Sequence, residues 1–388
     1  MTAPTALIHV QHLLGTGHVV RAAAIGRALV DLGVPVTMVC GNTVPPTLDA
    51  RGLDVVCLPP VRARDAHFKE FLDETDAPID DAWRDNRRDL LLKAFNDVRP
   101  DILLSETYPF GRRKFAFEML PLLQAARARA TPPLIASSIR DILVRKPDPR
   151  KEETMAEIAN RFYDLVLVHS DPDYVRLEDS FPFTDRVAHL LRYTGFVHTG
   201  TRAEPPSGEG DNEVIVSCGG GAVGTHLLDT AVHARAVSRA ANDLTWRLLV
   251  GHDVPEERFT ALRATLPQGV IAERARPDFP GLLKRARLSV SQAGYNTVLD
   301  VLAAEVPAVF IPFAQVLETE QSHRAQALAG RGLATIADEK TLTPEALAQA
   351  VDAAMALPRG RERVGHEAQM RGAETSAELL LRAWEESR

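Results

Sequence analysis

The sequence predicts an α/β chain made of two Rossmann-like domains, each built on a parallel sheet. Short β-rich runs alternate with helical patterns along nearly the whole chain, and this alternation restarts in the second half. A stretch rich in Gly, Pro and small polar residues separates the halves. At 388 residues the chain is also too long for one ordinary core, so two domains are expected.

The strands are predicted in two series of apolar runs. The first series is ALIHVQHL, VPVTMVCG, LDVVCLP, DILLSE, LIASSI and DLVLVHS; the second is EVIVSCGG, WRLLVG, VIAERA, LSVSQAG, PAVFIPF and LATIA. Between them, GFVHTGTRAEPPSGEGDNE is typical of a surface linker. We therefore expect a first domain over 1–196, a linker over 197–212, a second domain over 213–365 and, over 366–388, a C-terminal helix that packs back on the first domain.

Composition and charge exclude several classes of protein. A formal net charge of -7 leaves no global basic field, which argues against a nucleic-acid-binding protein. The N-terminus lacks a basic leader, and no apolar run is long enough to span a bilayer. The three cysteines lie at or near the ends of apolar runs and are interpreted as packing thiols, so we expect a cytoplasmic protein.

The loop after the first predicted strand carries glycines and a histidine. Gly15 and Gly17 allow a sharp turn and a close approach to a ligand, and the helix that follows presents free N–H groups. His18 would lie at the mouth of this site, with a pKa suited to taking a proton from a hydroxyl near neutral pH. A polar residue at a helix start, with no catalytic role, is the alternative.

Two loops of the second half combine glycines with helix starts. Gly219, Gly220 and Gly221 form a run that presents backbone N–H groups to an anion, with a tight structural turn as the alternative. The loop after LSVS offers polar groups at a helix start, and Asp300 one turn on could accept hydrogen bonds from ribose hydroxyls or be a solvated first-turn acid. The anion-binding residues expected there are Gln292, Gly294, Asn296 and Thr297.

The middle of the first half projects charged clusters from two strand ends. Glu106 and Asp141 are alternative proton acceptors if His18 does not serve. Arginines beside them could hold a carboxylate or phosphate of an acceptor molecule through bidentate contacts, although a structural ion pair between Glu106 and an arginine is an equal alternative. The acceptor-binding residues expected are Tyr108, Arg112, Arg113 and Arg140.

The string SQAGYNTVLDVLAAEVPAVFIPF, followed by ETEQSHRAQAL, resembles the donor-binding signature of the GT-B glycosyltransferases of family 28, the MurG-like enzymes. The N-terminal glycine loop and Tyr193-Thr194-Gly195 extend the resemblance, whereas ETYPFGRR resembles a separate branch of predicted glycosyltransferases. The resemblance implies the GT-B fold, with two parallel sheets facing across a cleft and a nucleotide sugar between them. By this resemblance, Gly219 to Gly221 would face the pyrophosphate of the donor. Asp300, at a position where the family usually has Glu, would bind the ribose.

The same resemblance places Glu320 and Gln321 against the donor sugar, Arg276 near the nucleotide base, and His18 as general base. It implies metal-independent transfer, with inversion, from a nucleotide diphosphate sugar, taken as a UDP-sugar because the family uses one, with no resident cofactor. Asp171-Pro172-Asp173 is interpreted as a helix N-cap and not as a metal site.

The partners expected are a nucleotide sugar and an acceptor of unknown structure, lipid-linked or anionic, and no nucleic acid. A local excess of positive charge over Arg112–Arg150 favours peripheral contact with anionic lipid at the inner face of the membrane, with a solvated helix face as the alternative. Two other functions stay open at this point: a nucleotide-sugar hydrolase on the same scaffold, and a non-catalytic subunit that binds nucleotide sugars.

Overall fold

The computed structural model describes residues 3–13, 17–45, 48–64, 70–199, 203–218, 225–313, 320–359 and 369–388. The chain forms two compact units, one of Met1–Thr199 with Gln369–Arg388 and one of Gly200–Ala368. The first three residues of the predicted linker, 197–199, thus belong to the first unit. Within the described ranges no helix has the length and apolar character of a membrane span.

The first unit alternates strands and helices. Its strands are β1 Ala6–Val10, β2 Val36–Cys40, β3 Leu53–Cys57, β4 Arg62–Ala63, β5 Phe71–Leu72, β6 Ile102–Glu106, β7 Leu134–Arg140, β8 Leu165–His169 and β9 Leu191–Tyr193. Its helices are α1 Gly17–Asp31, α2 Asp81–Val98, α3 Ala116–Arg127, α4 Pro149–Phe162, α5 Thr184–Val187 and the C-terminal α12 Gly372–Glu386.

Seven described strands of the first unit form a parallel sheet in the order β3-β2-β1-β6-β7-β8-β9, and β4 and β5 form a separate antiparallel pair. The central strands are buried along their whole length, as expected for a parallel sheet covered by helices on both faces. β9 was not predicted because it is only three residues long and carries an arginine. The six predicted strands of this half are all present.

The C-terminal helix α12 packs against α1 in the core of the first unit. Ala377, Leu380 and Trp384 lie in the same buried cluster as the apolar side chains of α1. The chain returns by backbone hydrogen bonds, since the N–H of Gly372 donates to the carbonyl of Phe196 at 2.9 Å. A Cβ on Gly372 would lie 2.5 Å from the carbonyl oxygen of Gly195, so this close crossing requires glycine.

The second unit is a parallel sheet in the order β12-β11-β10-β13-β14-β15. Its strands are β10 Val214–Ser217, β11 Trp246–Val250, β12 Val270–Arg274, β13 Leu288–Ser291, β14 Ala308–Phe310 and β15 Ala334–Ile336. Its helices are α6 Thr225–Val237, α7 Glu256–Ala264, α8 Phe279–Arg285, α9 Tyr295–Ala303, α10 Glu320–Ala329 and α11 Pro344–Met355. Each strand matches one of the six apolar runs predicted in this half.

Candidate functional site

In the first sheet, β1 lies between β2 and β6, and the chain runs outward from β1 in both directions. Loops at such a reversal leave the sheet on opposite sides and open a crevice at the carboxyl ends of the two strands, where ligands bind in open α/β sheets. His18 follows β1 at the start of α1, and Glu106 ends β6. Strand order therefore brings together two residues that are 88 positions apart.

His18 and Glu106 form a hydrogen-bonded pair at this point. The Nδ1 atom of His18 lies 3.0 Å from Oε1 of Glu106, and the His18 side chain keeps 15% of its surface exposed while Glu106 keeps 1%. An ionised carboxylate only accepts hydrogen bonds, so Nδ1 carries the proton and Nε2 is left as the basic nitrogen. This is the arrangement that orients a histidine as a general base.

Charged neighbours control the protonation of this pair. Burial alone would raise the pKa of Glu106, but the positive charge of Arg21 and the hydrogen bonds from His18 and Ser138 hold that pKa well below its ordinary value. Burial lowers the pKa of His18 to about 3; Arg21 and Arg112 act in the same direction, against Glu106. At neutral pH the pair is therefore a neutral imidazole on a carboxylate whose charge is balanced by the buried Arg21.

Thr107 completes the contacts around Glu106 from an unusual backbone conformation. Its φ is 71°, in the left-handed region that a β-branched residue rarely adopts. This conformation brings its hydroxyl to 3.0 Å from Oε1 of Glu106 and 3.1 Å from Nδ1 of His18. Backbone strain of this kind persists where the surroundings enforce it, and it is concentrated at functional sites.

Three residues to which the sequence analysis gave no role in the site continue the network. Ser138 on β7 donates to Oε2 of Glu106 at 2.6 Å, and its oxygen lies 2.7 Å from Nε2 of His169 on β8. His169 Nδ1 lies 2.9 Å from the hydroxyl of Thr194. Polar residues at or just after the ends of apolar strands were the available signal, but such residues do not identify one another as neighbours until the strand order is known.

The expected acceptor-binding residues are only partly brought together. Arg112 donates from Nε to the carbonyl of Gln11 at 2.9 Å, and burial together with the nearby Arg140 lowers its pKa to about 10. Arg140 ends β7 and is half-buried, and Arg113 begins a short 3₁₀ helix. The Tyr108 side chain lies in the hydrophobic core, with 2% of its surface exposed, so its position does not support contact with an acceptor.

Two other predictions for this half change with the structure. Asp141 is fully buried, and its Oδ1 accepts from the backbone N–H of Ile142 at 2.9 Å, so it fixes a turn and is not positioned as an alternative base. Asp171 does not cap a helix. Its Oδ1 accepts from the N–H of Asp173 in a turn, and its Oδ2 accepts from Gln369 at 3.2 Å, because here the chain turns to meet the C-terminal segment.

The second sheet has its own reversal between β10 and β13. Ser217 and Ser291 are register partners at the carboxyl ends of these strands. The glycines 219–221 follow Ser217 but lie outside the described residues, as does Gly15 of the first unit. After β13, only residues 292–294 separate the strand from α9, so the N-terminus of this helix faces the crevice.

Gly294 is the residue that precedes α9. Its φ of -63° is ordinary, and no described atom lies within 4 Å of the position where a Cβ would be. Gln292 and Thr297 are half-buried, Asn296 is exposed in the first turn, and Asp300 lies about one turn further on. The backbone here has room for a ligand to approach closely, and it is flanked by the polar side chains that the sequence singled out.

Residues of α10 hold the neighbouring loops in place. Oε1 of Gln321 accepts from the backbone N–H of Phe313 at 3.0 Å. Arg324, which sequence reasoning missed, is buried, donates to the carbonyl of Ala293 at 2.9 Å and stacks over the Tyr295 ring at 5.5 Å. Glu320 lies 3.8 Å from Arg324, so α10 and the loop before α9 are tied by charge and hydrogen bonds.

Arg276 is already bound by carboxylates. Its guanidinium pairs with Asp278 through two hydrogen bonds of 2.9 and 2.6 Å and also contacts Glu273 and Glu209. These acids raise its pKa above the ordinary value. A nucleotide base contacting Arg276 would therefore meet a side chain whose donors are already engaged.

Within the described residues, no group of three His, Cys, Asp or Glu side chains is arranged to hold a metal ion.

Comparisons with known proteins agree with this architecture. Residues 216–380 match the glycosyltransferase family 28 C-terminal domain. A relative from Phenylobacterium zucineum (strain HLK1), named UDP-N-acetylglucosamine--N-acetylmuramyl-(pentapeptide) pyrophosphoryl-undecaprenol N-acetylglucosamine transferase, is 34% identical over 179 residues, 45% of this chain and 48% of the relative. The chain thus matches about half the length of that relative.

Two solved structures share the fold over nearly the whole chain. The calicheamicin glycosyltransferase CalG4 aligns with a TM-score of 0.65 at 18% identity, covering 100% of this chain and 98% of its own. MurG of Acinetobacter baumannii aligns with a TM-score of 0.58 at 18% identity, and the alignment covers 98% of this chain and 100% of the MurG chain. The predicted two-domain architecture is confirmed: the chain has the fold of GT-B glycosyltransferases, and its segment 216–380 matches the glycosyltransferase family 28 C-terminal domain.

Proposed function

We propose that this chain is a glycosyltransferase that moves a sugar from a nucleotide diphosphate donor to an acceptor hydroxyl, with His18 as the general base. The observation that carries the proposal is the His18–Glu106 pair at the reversal of the first sheet, 3.0 Å apart, in a chain whose segment 216–380 matches the glycosyltransferase family 28 C-terminal domain. The pair supplies a base, and the family domain indicates an activated sugar.

In the proposed reaction, Nε2 of His18 takes the proton of the acceptor hydroxyl as its oxygen attacks the anomeric carbon of the donor. The new carbon–oxygen bond forms as the bond to the diphosphate breaks, and the electron pair leaves with the diphosphate. Attack opposite the leaving group inverts the anomeric carbon. Glu106 stabilises the imidazolium that forms, because its carboxylate faces the Nδ1–H.

The second unit would hold the donor. The N-terminus of α9 at Gly294 offers backbone N–H groups and positive potential for the leaving diphosphate, and the glycines 219–221 would add more. Asp300 is proposed for the ribose, and Gln321 with Glu320 for the sugar. A UDP-sugar is the proposed donor, because the relative with 34% identity carries UDP-N-acetylglucosamine in its name.

The acceptor would carry a negative charge near its reacting hydroxyl. Burial and the positive charge of the nearby Arg140 lower the pKa of Arg112, and an anion beside Arg112 would offset both effects. The same anion would offset the effect of Arg112 on His18 and raise the pKa of the base toward the working pH. A lipid-linked phosphate acceptor, held at the inner face of a membrane, fits this requirement.

The test is a screen of the purified full chain against uridine and thymidine diphosphate sugars. A donor that binds the folded state raises the melting temperature by mass action. Labelled donor is then incubated with phosphorylated lipid and sugar acceptors, and the anomeric configuration of the product is read by NMR. We expect nucleotide release that depends on acceptor and is lost in His18→Ala. Release of free sugar without any acceptor would instead indicate a hydrolase, and absence of binding by every activated sugar would overturn the proposal.

A further inference from the structure

Behind the His18–Glu106 pair, a chain of hydrogen bonds runs across three neighbouring strands. It passes from Glu106 on β6 to Ser138 on β7, to His169 on β8 and to Thr194 just after β9. All four residues are at most 2% exposed, so water does not compete for these contacts. None of the last three residues has a role in the reaction proposed above.

The directions of these bonds follow from counting protons. A serine hydroxyl has one proton, and the 2.6 Å contact with an ionised carboxylate is the short, charge-assisted kind that takes it. The Ser138 oxygen must therefore accept from its other neighbour, Nε2 of His169 at 2.7 Å. Burial lowers the pKa of His169 to about 3, so the ring is neutral and holds a single proton. With that proton on Nε2, Nδ1 of His169 is unprotonated and lies 2.9 Å from the hydroxyl of Thr194, whose single proton is shared between Nδ1 and the carbonyl of Gly195 at 2.8 Å.

We propose that His169, as the Nε2–H tautomer, and Ser138 are positioning residues that fix the second oxygen of Glu106 and leave the first oxygen for His18. The inference rests on the proposed function, since it assigns these residues a part in orienting the base. The Ser138 hydroxyl and the Nε2–H of His169 both point toward Glu106, so the carboxylate is held in one orientation and its negative charge is stabilised on the side away from His18. Ser138 and His169 thereby act on His18 without touching a substrate.

The charged groups around His18 determine how its pKa would change if these hydrogen bonds behind Glu106 were lost. His18 faces Glu106 on β6, Arg21 on its own helix and Arg112 after β6, while Arg21 and Glu106 also act on His169. Removing the Ser138 hydroxyl leaves Oε2 of Glu106 without that donor and makes the carboxylate more basic. The proton on His18 is then held more tightly, so the pKa of His18 rises and the acid limb of the pH–rate profile moves to higher pH.

Ser137 supplies a matched control. It precedes Ser138 on β7 and is equally buried. Its hydroxyl donates to the carbonyl of Tyr108 at 2.8 Å and takes no part in the hydrogen bonds that lead to Glu106. Ser138→Ala and Ser137→Ala each remove one hydroxyl group from β7. His169→Gln keeps an N–H donor near the Nε2 position, whereas His169→Leu removes it.

The test combines ring ¹⁵N NMR of the histidine-labelled full chain with steady-state kinetics. In the wild type we expect His169 to be neutral with the proton on Nε2, and His18 to have it on Nδ1. Ser138→Ala should lower kcat about 10- to 100-fold with little change in KM, because the carboxylate of Glu106 no longer holds His18 in one orientation. The same variant should shift the His18 titration upward, while Ser137→Ala stays within about twofold in kcat. His169→Gln should retain most of the activity that His169→Leu loses.

If the wild-type His169 is charged at neutral pH, or carries its proton on its own Nδ1, the inference is overturned without the need for any variant. An unchanged His18 titration in folded Ser138→Ala would do the same. Because the ring signals need no substrate, they test this inference even if the chain transfers no sugar, and in that case only the proposed function fails.

Discussion

Replacing Glu106 with glutamine tests the centre of the first unit, since it removes one negative charge and keeps the shape of the side chain. In the folded chain, Oε1 of Glu106 contacts His18, Thr107 and the buried Arg21, and Oε2 accepts from Ser138. A glutamine can accept from one side only, so the charge of Arg21 loses its balance and His18 loses the carboxylate that fixes its Nδ1 proton.

The expected loss of stability follows from the burial of the ion pair. The Arg21 side chain is 3% exposed and that of Glu106 1%, and removing one partner of such a pair costs about 3 to 5 kcal/mol. For a domain of this size that corresponds to a decrease in melting temperature of roughly 6 to 20 °C. Activity should decrease by about 10²- to 10⁴-fold, because Glu106 fixes the tautomer and the orientation in which His18 acts as the base.

The assays are urea unfolding of the wild type and Glu106→Gln, followed over pH, and transfer kinetics at saturating donor. Because the folded pKa of Glu106 lies below its ordinary 4.5, the stability difference is fully present at neutral pH and decreases as pH falls below that value. Glu153→Gln is the control: its exposed pair with Arg186 should change stability by less than about 1 kcal/mol.

A second comparison tests the assignment of roles. If Glu106 acts through His18, the double variant His18→Ala with Glu106→Gln should be no slower than His18→Ala alone. A further tenfold decrease, or Glu106→Gln with wild-type activity and stability, would refute this reasoning.

Four further predictions concern other parts of the chain. Gly294→Ala should keep wild-type stability, because its φ is ordinary and the Cβ has open space, yet weaken donor binding at least tenfold by calorimetry; unchanged affinity would remove α9 from the donor site. Glu118→Gln should destabilise the first unit by about 3 to 5 kcal/mol in urea unfolding, since its partner Arg87 is fully buried, and a loss below 1 kcal/mol would contradict that. The free energy of unfolding should decrease as the pH is lowered below 6.5, because His169 stays neutral in the folded chain and is protonated in the unfolded chain. His169→Gln should reduce the slope of this free energy against pH by about 1.4 kcal/mol per pH unit, and an equal slope in the variant would contradict the lowered pKa of His169. Arg112→Gln should raise KM for a phosphorylated acceptor about tenfold but leave a neutral acceptor unaffected, and equal effects on both would remove the arginine from acceptor recognition.

The architecture could be predicted from the sequence because the signals for it are local. An apolar run flanked by turn residues reports a buried strand without knowledge of its neighbours, and all six runs of each half became strands. The glycine loops and His18 could be singled out for the same reason, since they directly follow such runs; Gly15 and the glycines 219–221 lie outside the described residues. The segment 216–380, which matches the family domain, is also the part in which the motif was most continuous.

The connections between side chains were decided by the tertiary structure alone. Ser138, His169 and Thr194 lie on or beside consecutive strands of the sheet but far apart in sequence, so only the order β6-β7-β8-β9 and its register bring them into one network. Directions of side chains were equally inaccessible: Tyr108 turns into the core, and Arg276 meets three carboxylates. Local patterns report which segments are buried, whereas a site depends on which buried segments are neighbours.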